Sequence, residues 1–483
     1  MILRLGAHNV QHGFSYGIAA FLCAMGTIVP VAAQTVPLPA TPPIQALPTA
    51  AQTPPSDTAN GDYGAYLTWP EMKEKIAAWA RQYPKLVHVG LLGKTLEGRD
   101  IPLLRLSDSP TVSDKPEVLL LAGIHPREQQ PQVAIAHLID ELLAGYGKDA
   151  KITKLLTERQ IWIVPVFNVD GKVYDMRNGN GKRGADWRKN RRPNADGSFG
   201  VDLNRNFGVR WGGSRMIDPT WRDTTTNPKG NIYEGPAPLS EPETQALSRF
   251  IASRRTNLRA FLDIHSPLHE ILFPAYSIAS ELARFQRIAG GMRDRQQKPY
   301  PTTNAAPDTE PPANPRGGNS GLTYTWAYYT QGVYGFNLEI ASPSAGTGIG
   351  ARYAPPEEIE TEYRDNVREP LLFFLDAAGD LPPALPGTAT CAAGAGTFDG
   401  KLRPGQTVTW TPPAVSGECD YAVLVSEKRD VVVPSEYRRF PFTSPFVLQV
   451  DETAKPGQTV PVKLYLWDKN RHVSVVPFTM TVE

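Results

Sequence analysis

A histidine and a carboxylate stand three residues apart in Gly123-Ile124-His125-Pro126-Arg127-Glu128. The apolar run Val118-Leu119-Leu120-Leu121 before them reads as a buried strand, and an amphipathic helical pattern follows. Residues just past a strand end can turn toward one point. An imidazole nitrogen and a carboxylate oxygen together suit zinc. The pair is equally an ordinary polar turn, so the metal reading depends on a third ligand, a base and anion-binding groups elsewhere in the chain.

His265 supplies a third ligand. It closes the run Ala260-Phe261-Leu262-Asp263-Ile264 and precedes Ser266-Pro267. Taken singly it reads as a structural histidine. Joined to His125 and Glu128, it makes a set of two imidazoles and one carboxylate, which leaves a fourth position open, as a catalytic zinc requires. Glu339 is an acid in the otherwise apolar alternation Phe336-Asn337-Leu338-Glu339-Ile340. It fits the solvent face of an edge strand. Facing a metal, it fits a group that takes a proton from water and passes it to a leaving nitrogen. Cations and amides crowd residues 184–207, in Trp187-Arg188-Lys189-Asn190-Arg191 and Val201-Asp202-Leu203-Asn204-Arg205-Asn206-Phe207. Arginine can grip a carboxylate through two parallel hydrogen bonds and can hold an oxyanion. A solvated charged loop has the same composition.

The elements that must position these residues begin at Thr68-x-x-Glu71, a capping box. Met72, Ile76, Trp79 and Tyr83 then recur at helical spacing up to Pro84. Strands are expected over 87–92 and 101–106, joined by Glu97-Gly98. Next come the strand leading to His125, a helix over 132–145 and a strand over 161–167 leading to Asn168. A second capping box, Ser240-x-x-Glu243, starts a helix through Leu247, Phe250 and Ile251, and strands at 260–264 and 336–340 follow. Strands and helices intermixed in this way define one α/β domain, 61–381. Open α/β sheets place ligands beyond the carboxyl ends of their strands, where His125 and His265 fall.

Past the linker Leu381-Pro382-Pro383-Ala384-Leu385-Pro386-Gly387 the texture changes to short β-type runs over 382–483: Thr407–Trp410, Tyr421–Val425, Phe446–Val450, Val460–Trp467 and Val473–Val482. Their spacing reads as a small β-sandwich. Cys391 and Cys419 both lie there, and in an exported chain they are expected to form a disulfide. Export is read from the other end. Arg4 precedes an apolar segment ending Val31-Ala32-Ala33, so 1–33 fits a cleaved signal peptide. A membrane anchor is the rival, and the short span and the presence of Gly26 and Pro30 argue against it. Residues 34–60, rich in Pro, Ala and Thr, read as a linker. The 483 residues carry a net charge of +1 with no basic block, which points away from nucleic acid.

Over about residues 63 to 377 the chain resembles the zinc carboxypeptidases of the carboxypeptidase A and B type. The resemblance rests on Tyr83-Pro84, Gly93-Lys94 and Glu97-Gly98-Arg99, followed by each functional segment in the family's order. The two-histidine, one-glutamate set is the known one of carboxypeptidase A, so here it is recognised rather than derived. The resemblance implies a mixed, twisted sheet with helices on both faces. It implies one zinc ion on His125, Glu128 and His265, and Glu339 as general base and acid. Arg188 would polarise the scissile carbonyl and hold the oxyanion. Asn204 and Arg205 would bind the free C-terminal carboxylate of a peptide. Asp202 would orient His125.

One departure stands out. The family's Tyr-Gln-x-Ser-Gly segment corresponds to Gly317-Gly318-Asn319-Ser320-Gly321, with Gly317 at the tyrosine position. The pocket-floor position falls at Tyr324, a neutral aromatic that argues against a preference for basic C-terminal residues. The expected activity is that of a secreted or periplasmic carboxypeptidase. The alternatives are a zinc endopeptidase or amidase on cell-wall peptides, and a catalytically silent binding protein.

Overall fold

The computed structural model of the protein describes residues 55–209, 211, 226–274, 279–304, 321–341, 353–385, 390–393, 402–412, 415–426, 431–432, 437–440, 445–452, 454–469 and 471–483. The expected leader at 1–33, most of 34–60, and Gly317 lie outside these residues.

Helix α1 (Trp69–Gln82) starts at the expected capping box, with Thr68 and Glu71 bonded reciprocally, and buries Trp69, Met72, Ile76 and Trp79. Eight strands follow in one sheet: β1 (Val87–Lys94), β2 (Asp100–Leu106), β3 (Glu117–Ala122), β4 (Gln160–Val164), β5 (Leu258–His265), β6 (Glu270–Phe273), β7 (Thr302–Asn304) and β8 (Tyr334–Glu339). Their spatial order is β1-β2-β4-β3-β5-β8-β6-β7. The central strands β4, β3, β5 and β8 are parallel, and the flanks add antiparallel pairs. Every residue of β3, β4 and β8 is buried, as expected for parallel strands covered on both faces. The covering helices are α2 (Gln130–Gly145), α3 (Ala150–Glu158), α4 (Val169–Arg177), α5 (Pro242–Arg254), α6 (Ala279–Arg293), α7 (Thr323–Gln331), α8 (Pro356–Glu362) and α9 (Arg368–Ala378).

Three local expectations change. Strand β4 stops at Val164 rather than Phe167, because Pro165 has no N–H to give the ladder. Helix α5 opens on Pro242 with Glu241 at the position before it making no side-chain capping bond, and the Ser240 hydroxyl donates to Glu241 at 2.6 Å rather than forming the expected capping box. Strand β8 is no edge: it lies between β5 and β6, so Glu339 does not face solvent as an edge residue would.

The C-terminal region forms small antiparallel sheets from β9 (Ala392–Ala393), β10 (Thr407–Trp410), β11 (Val415–Ser416), β12 (Cys419–Ser426), β13 (Val431–Val432), β14 (Tyr437–Arg439), β15 (Phe446–Val450), β16 (Thr459–Asp468) and β17 (Val473–Thr481). Trp410, Phe446 and Leu448 of one sheet share a core with Leu424, Leu464, Leu466 and Phe478 of another. Cys391 and Cys419 are buried free thiols, so the expected disulfide is not formed. Among the described residues no helix is long and apolar enough to cross a membrane.

Candidate active site

The His125 turn is built from two strand ends. After β3, Gly123 adopts φ 73°, a left-handed conformation in which a side chain is strained. The end of β4 holds the turn: Phe167 N donates to Ala122 O at 3.0 Å, Asn168 N to Gly123 O at 3.0 Å, and Asn168 Nδ2 to Ile124 O at 3.1 Å. A buried polar network lies behind it. Lys172 donates to the Gln129 side-chain carbonyl, and Gln129 Nε2 donates to Asp175 Oδ2 at 3.3 Å. Asp175 also accepts from Trp187 N at 2.8 Å, and Arg127 N donates to Trp187 O at 3.0 Å. Burial pushes the Lys172 ammonium down to about 7. The His125–Glu128 loop and the Arg188 loop are therefore held to the same buried groups.

His125, Glu128 and His265 converge. His125 Nδ1 is 2.9 Å from Glu128 Oε1, His265 Nδ1 is 3.0 Å from Glu128 Oε2, and the two Nδ1 atoms are 3.2 Å apart. The opposite nitrogens are engaged: His125 Nε2 with Asp202 Oδ1 at 3.1 Å, and His265 Nε2 with Asp263 Oδ2 at 3.0 Å. Carboxylates at Nε2 fix the proton there, so both Nδ1 atoms present lone pairs to each other and to Glu128. Buried ring nitrogens and carboxylate oxygens this close need a proton or a cation between them, and a metal at His265 Nδ1 would displace the proton that Asp263 and Glu128 otherwise favour. Metal–ligand distances of about 2.0–2.1 Å imply tetrahedral edges of about 3.3 Å, close to the observed spacing, and zinc fits this donor set. For Glu128, burial raises the pKa, but the adjacent imidazoles outweigh it and hold the carboxyl well below its usual range. For His265, burial opposes the charge, yet Asp263 and Glu128 hold its pKa well above the usual value.

Glu339 is the register partner of His265 across β5 and β8. It is buried, and its Oε2 has no hydrogen-bond partner. Burial, reinforced by Glu128, pushes its carboxyl up to about 7 against the pull of His265 and Arg188.

The cation-rich segment is folded onto this centre by Asn190. Its backbone N donates to Val201 O at 2.9 Å and its Oδ1 accepts from Val201 N at 2.8 Å. Arg188 and Asp202 are thereby brought together, and Arg188 Nε donates to Asp202 Oδ2 at 2.8 Å while Nη1 lies 3.6 Å from Glu128 Oε1. Asn204 Oδ1 accepts from Thr323 N at 3.0 Å, its Nδ2 lies 3.3 Å from His265 Nε2, and Arg205 Nη1 donates to Asn204 O at 2.7 Å. Tyr324, buried at the start of α7, lies within electrostatic reach of Arg205 and Glu339. Every site residue expected from the sequence is thus in one neighbourhood.

Asp263 and Thr323 were not among those expectations. Thr323 Oγ1 donates to Asp263 Oδ2 at 2.5 Å, so the carboxylate that holds His265 is itself held. The signal was available: Asp263 precedes His265 by two residues in a strand, and positions two apart share a face.

The loop's support also carries a stability cost. Asn190 Nδ2 donates to Glu241 at 2.8 Å and reaches Glu243 at 3.4 Å, while Glu243 Oε1 is buried with no partner. Burial, with Asp170 and Glu241 adding, holds the Glu243 carboxyl well above its usual 4.5. A folded-state value above the unfolded one means that no stability is lost below the unfolded value, and that stability falls as pH rises toward the folded one. Glu243→Gln is therefore expected to raise the unfolding midpoint at about pH 8, with a gain on the order of 1 kcal/mol that closes near pH 4.5. Equal gains at both pH values in thermal melts would refute this.

A two-histidine, one-carboxylate centre beyond the carboxyl ends of a mixed sheet, with a buried glutamate facing it, defines the class. The sequence profile of the family described as zinc carboxypeptidase matches residues 72–369, more than half of the chain, and the chain belongs to that family. It is 33% identical over 238 residues to mast cell carboxypeptidase A of Rattus norvegicus, covering 47% of this chain and 53% of that protein. It is 31% identical over 291 residues to carboxypeptidase B of Homo sapiens, covering 58% and 63%. The chain thus spans between half and two-thirds of the length of these relatives. The crystal structure of carboxypeptidase A from Helicoverpa armigera superposes with a TM-score of 0.53 at 24% identity, over 65% of this chain and 74% of that one, and shows the shared fold.

Proposed function

We propose that the protein is a secreted or periplasmic zinc carboxypeptidase that hydrolyses the last peptide bond of peptide or protein C-termini. The observation that carries this reading is the convergence of candidate ligand atoms from His125, Glu128 and His265, with the unpartnered Glu339 oxygen opposite. Zinc held there would supply a Lewis acid for the scissile carbonyl and acidify a water. Glu339 takes the proton of the attacking water and delivers it to the leaving nitrogen, a task suited to a carboxyl poised near neutrality. Arg188, anchored by Asp202, holds the developing oxyanion. Arg205 and Asn204 bind the C-terminal carboxylate. Asp202 fixes the tautomer and aim of His125, and Asp263 does the same for His265.

Residues 1–33 act as a signal peptide, 34–60 as a linker, 61–381 as the catalytic domain and 382–483 as a C-terminal domain. The leader's charge and small-residue pattern and the change of texture near 381 support this division.

The test is mass spectrometry of a mixed peptide set incubated with zinc-loaded protein. A ladder of single C-terminal losses is expected. Internal cuts, or cleavage of cell-wall peptides alone, would replace this reading with an endopeptidase or amidase. No cleavage despite one bound zinc would leave a silent binding protein. Asp202→Asn should weaken zinc binding about 10- to 100-fold, read by competition with a chromogenic chelator. Unchanged affinity would remove Asp202 from the metal's support.

A further inference from the structure

The loop that carries Arg188 is bent shortly before it. Asp186 is at φ 58°, the left-handed region that residues with a Cβ enter only at a cost. Both sides of the bend are bound to one residue. Ala185 N donates to the backbone carbonyl of Asp175 at 2.9 Å, and Trp187 N donates to its carboxylate Oδ1 at 2.8 Å. Strained backbone of this kind persists where its surroundings over-determine it, and it gathers at functional sites. Two residues past the bend stands Arg188, the group assigned to the oxyanion.

The other carboxylate oxygen of Asp175 reaches the metal-binding turn. Oδ2 accepts from Gln129 Nε2 at 3.3 Å, and the same Nε2 donates to Pro126 O at 2.5 Å. Gln129 follows Glu128 and Pro126 follows His125, so this amide is fastened inside the run that supplies two of the three converging ligands. Lys172 decides which end of the amide faces these acceptors. Its ammonium has donors only and donates to Gln129 Oε1, which leaves the NH2 end for Pro126 and Asp175. Lys172 and Asp175 are three apart on α4 and share a face. Tyr353 Oη also donates to Asp175 Oδ2, at 2.9 Å. Asp175 and Gln129 are fully buried, so water does not compete for these bonds. The fit is close: a Cβ at Gly184 would meet Asp175 Oδ2 at 1.8 Å.

Among the described residues Asp175 bonds to none of the groups assigned to the reaction; it holds the residue before Arg188 and the residue after Glu128. The Arg188 side chain is aimed by Asp202, but its reach depends on where its backbone stands relative to the metal-binding turn. A misplacement on the order of 1 Å in such a site lowers the rate about 100-fold.

We propose that Asp175 is a positioning residue: it imposes the bend at Asp186 and sets the distance between Arg188 and the metal-binding turn, with Lys172 orienting the Gln129 amide that joins them. This rests on the role proposed above for Arg188 as holder of the oxyanion.

The test is a double-mutant cycle of Asp175→Asn with Arg188→Ala on the zinc-loaded full chain. The amide keeps the size of the carboxyl and an acceptor for Trp187 N, but turns N–H groups toward the donors of Gln129 and Tyr353. In the otherwise unmodified chain kcat should fall about 10- to 100-fold, with KM within a few-fold and zinc content unchanged. In the Arg188→Ala background the same substitution should change kcat by less than about threefold, because the group it positions is gone. A residue that only supports the fold would lower both backgrounds by one factor. That result, an unchanged kcat, or activity lost in step with zinc would overturn the proposal. Tyr353→Phe removes one bond to Asp175 and little volume, and it carries the same cycle if Asp175→Asn does not fold. A fall in kcat that vanishes in the Arg188→Ala background is expected there too.

The cycle is repeated as affinity for a peptide phosphonate, whose tetrahedral anion stands in for the oxyanion and needs no turnover. Asp175→Asn should weaken it about tenfold or more, and no further once Arg188 is replaced. Equal affinities would overturn the positioning role. The cleavage products answer separately for the carboxypeptidase reading. Internal cuts with the coupling intact would overturn that reading and uphold Asp175. Single C-terminal losses without coupling would do the reverse.

Discussion

Replacing Glu339 by glutamine is expected to lower kcat by about a thousandfold or more while leaving KM within a few-fold and zinc content unchanged. The amide keeps the size and one hydrogen-bonding oxygen of the carboxyl but cannot accept and return a proton. Zinc should remain because Glu339 belongs to the opposite strand and is not among the converging ligand atoms of His125, Glu128 and His265. KM should hold because the groups assigned to the substrate's carboxylate, Asn204 and Arg205, are fastened elsewhere, to Thr323 N and within their own turn. On the proposed assignment, substrate binding and proton transfer fall to different strands and loops, and the variant should separate them. Steady-state kinetics with metal analysis checks this. A kcat within about tenfold of the unmodified chain would remove Glu339 as the base and would send the search to another carboxylate, with Glu270 the register partner across β6 and β8.

The convergence of His125, Glu128 and His265 was legible because each lies at or past the end of an apolar strand, and strand ends in an α/β sheet share one edge. Arg188, Asn204, Arg205 and Asp202 were legible only through the family resemblance, since a charged loop and an anion-binding loop have the same composition. Asn190 shows why: one side-chain oxygen and one backbone pair with Val201 decide that the loop folds inward. Glu339 was ambiguous in its own segment because alternation cannot tell an edge strand from a central one. The parallel partner β5, far away in sequence, settles it. Asp263 was readable from strand period but looked like one more acid in a strand until its second oxygen was seen to be unpartnered. The role of the last hundred residues was illegible for a stronger reason: their decisive contacts are made to positions more than a hundred residues away.

Those contacts lead to the second large expected effect, on stability: Arg471→Met should destabilise the whole protein by about 3 kcal/mol. Arg471 sits in the turn between β16 and β17. Its Nη1 donates to Tyr334 Oη at 2.9 Å and pairs with Glu281 at 2.6 Å, its Nη2 donates to Gly332 O, and its Nε donates to Pro383 O at 3.3 Å. Glu281 is 3% exposed, so removing the guanidinium leaves a buried carboxylate with Arg284 and a long hydrogen bond from Tyr328 Oη at 3.4 Å for partners. Beside it, Trp467 donates Nε1–H to Tyr329 O at 3.1 Å and lies where a Cβ on Gly332 would come within 2.8 Å of its ring. Gly332, at φ 70°, is the corner between α7 and β8, and those two elements carry Thr323, Tyr324 and Glu339. Tyr421, Val423, Tyr465 and Trp467 belong to the same apolar core as the eight-stranded sheet. Because that core is shared, urea unfolding followed by tryptophan fluorescence and by far-UV circular dichroism should give one coincident transition, shifted to lower urea in Arg471→Met. A chain ending at residue 381 should fail to accumulate as folded, active protein, since it would expose the apolar surface that Trp467 covers. Two separated transitions, or a truncated chain with full activity, would mean that the C-terminal sheets are a passenger. One transition would mean that the corner leading to Glu339 is held in place from the far end of the chain.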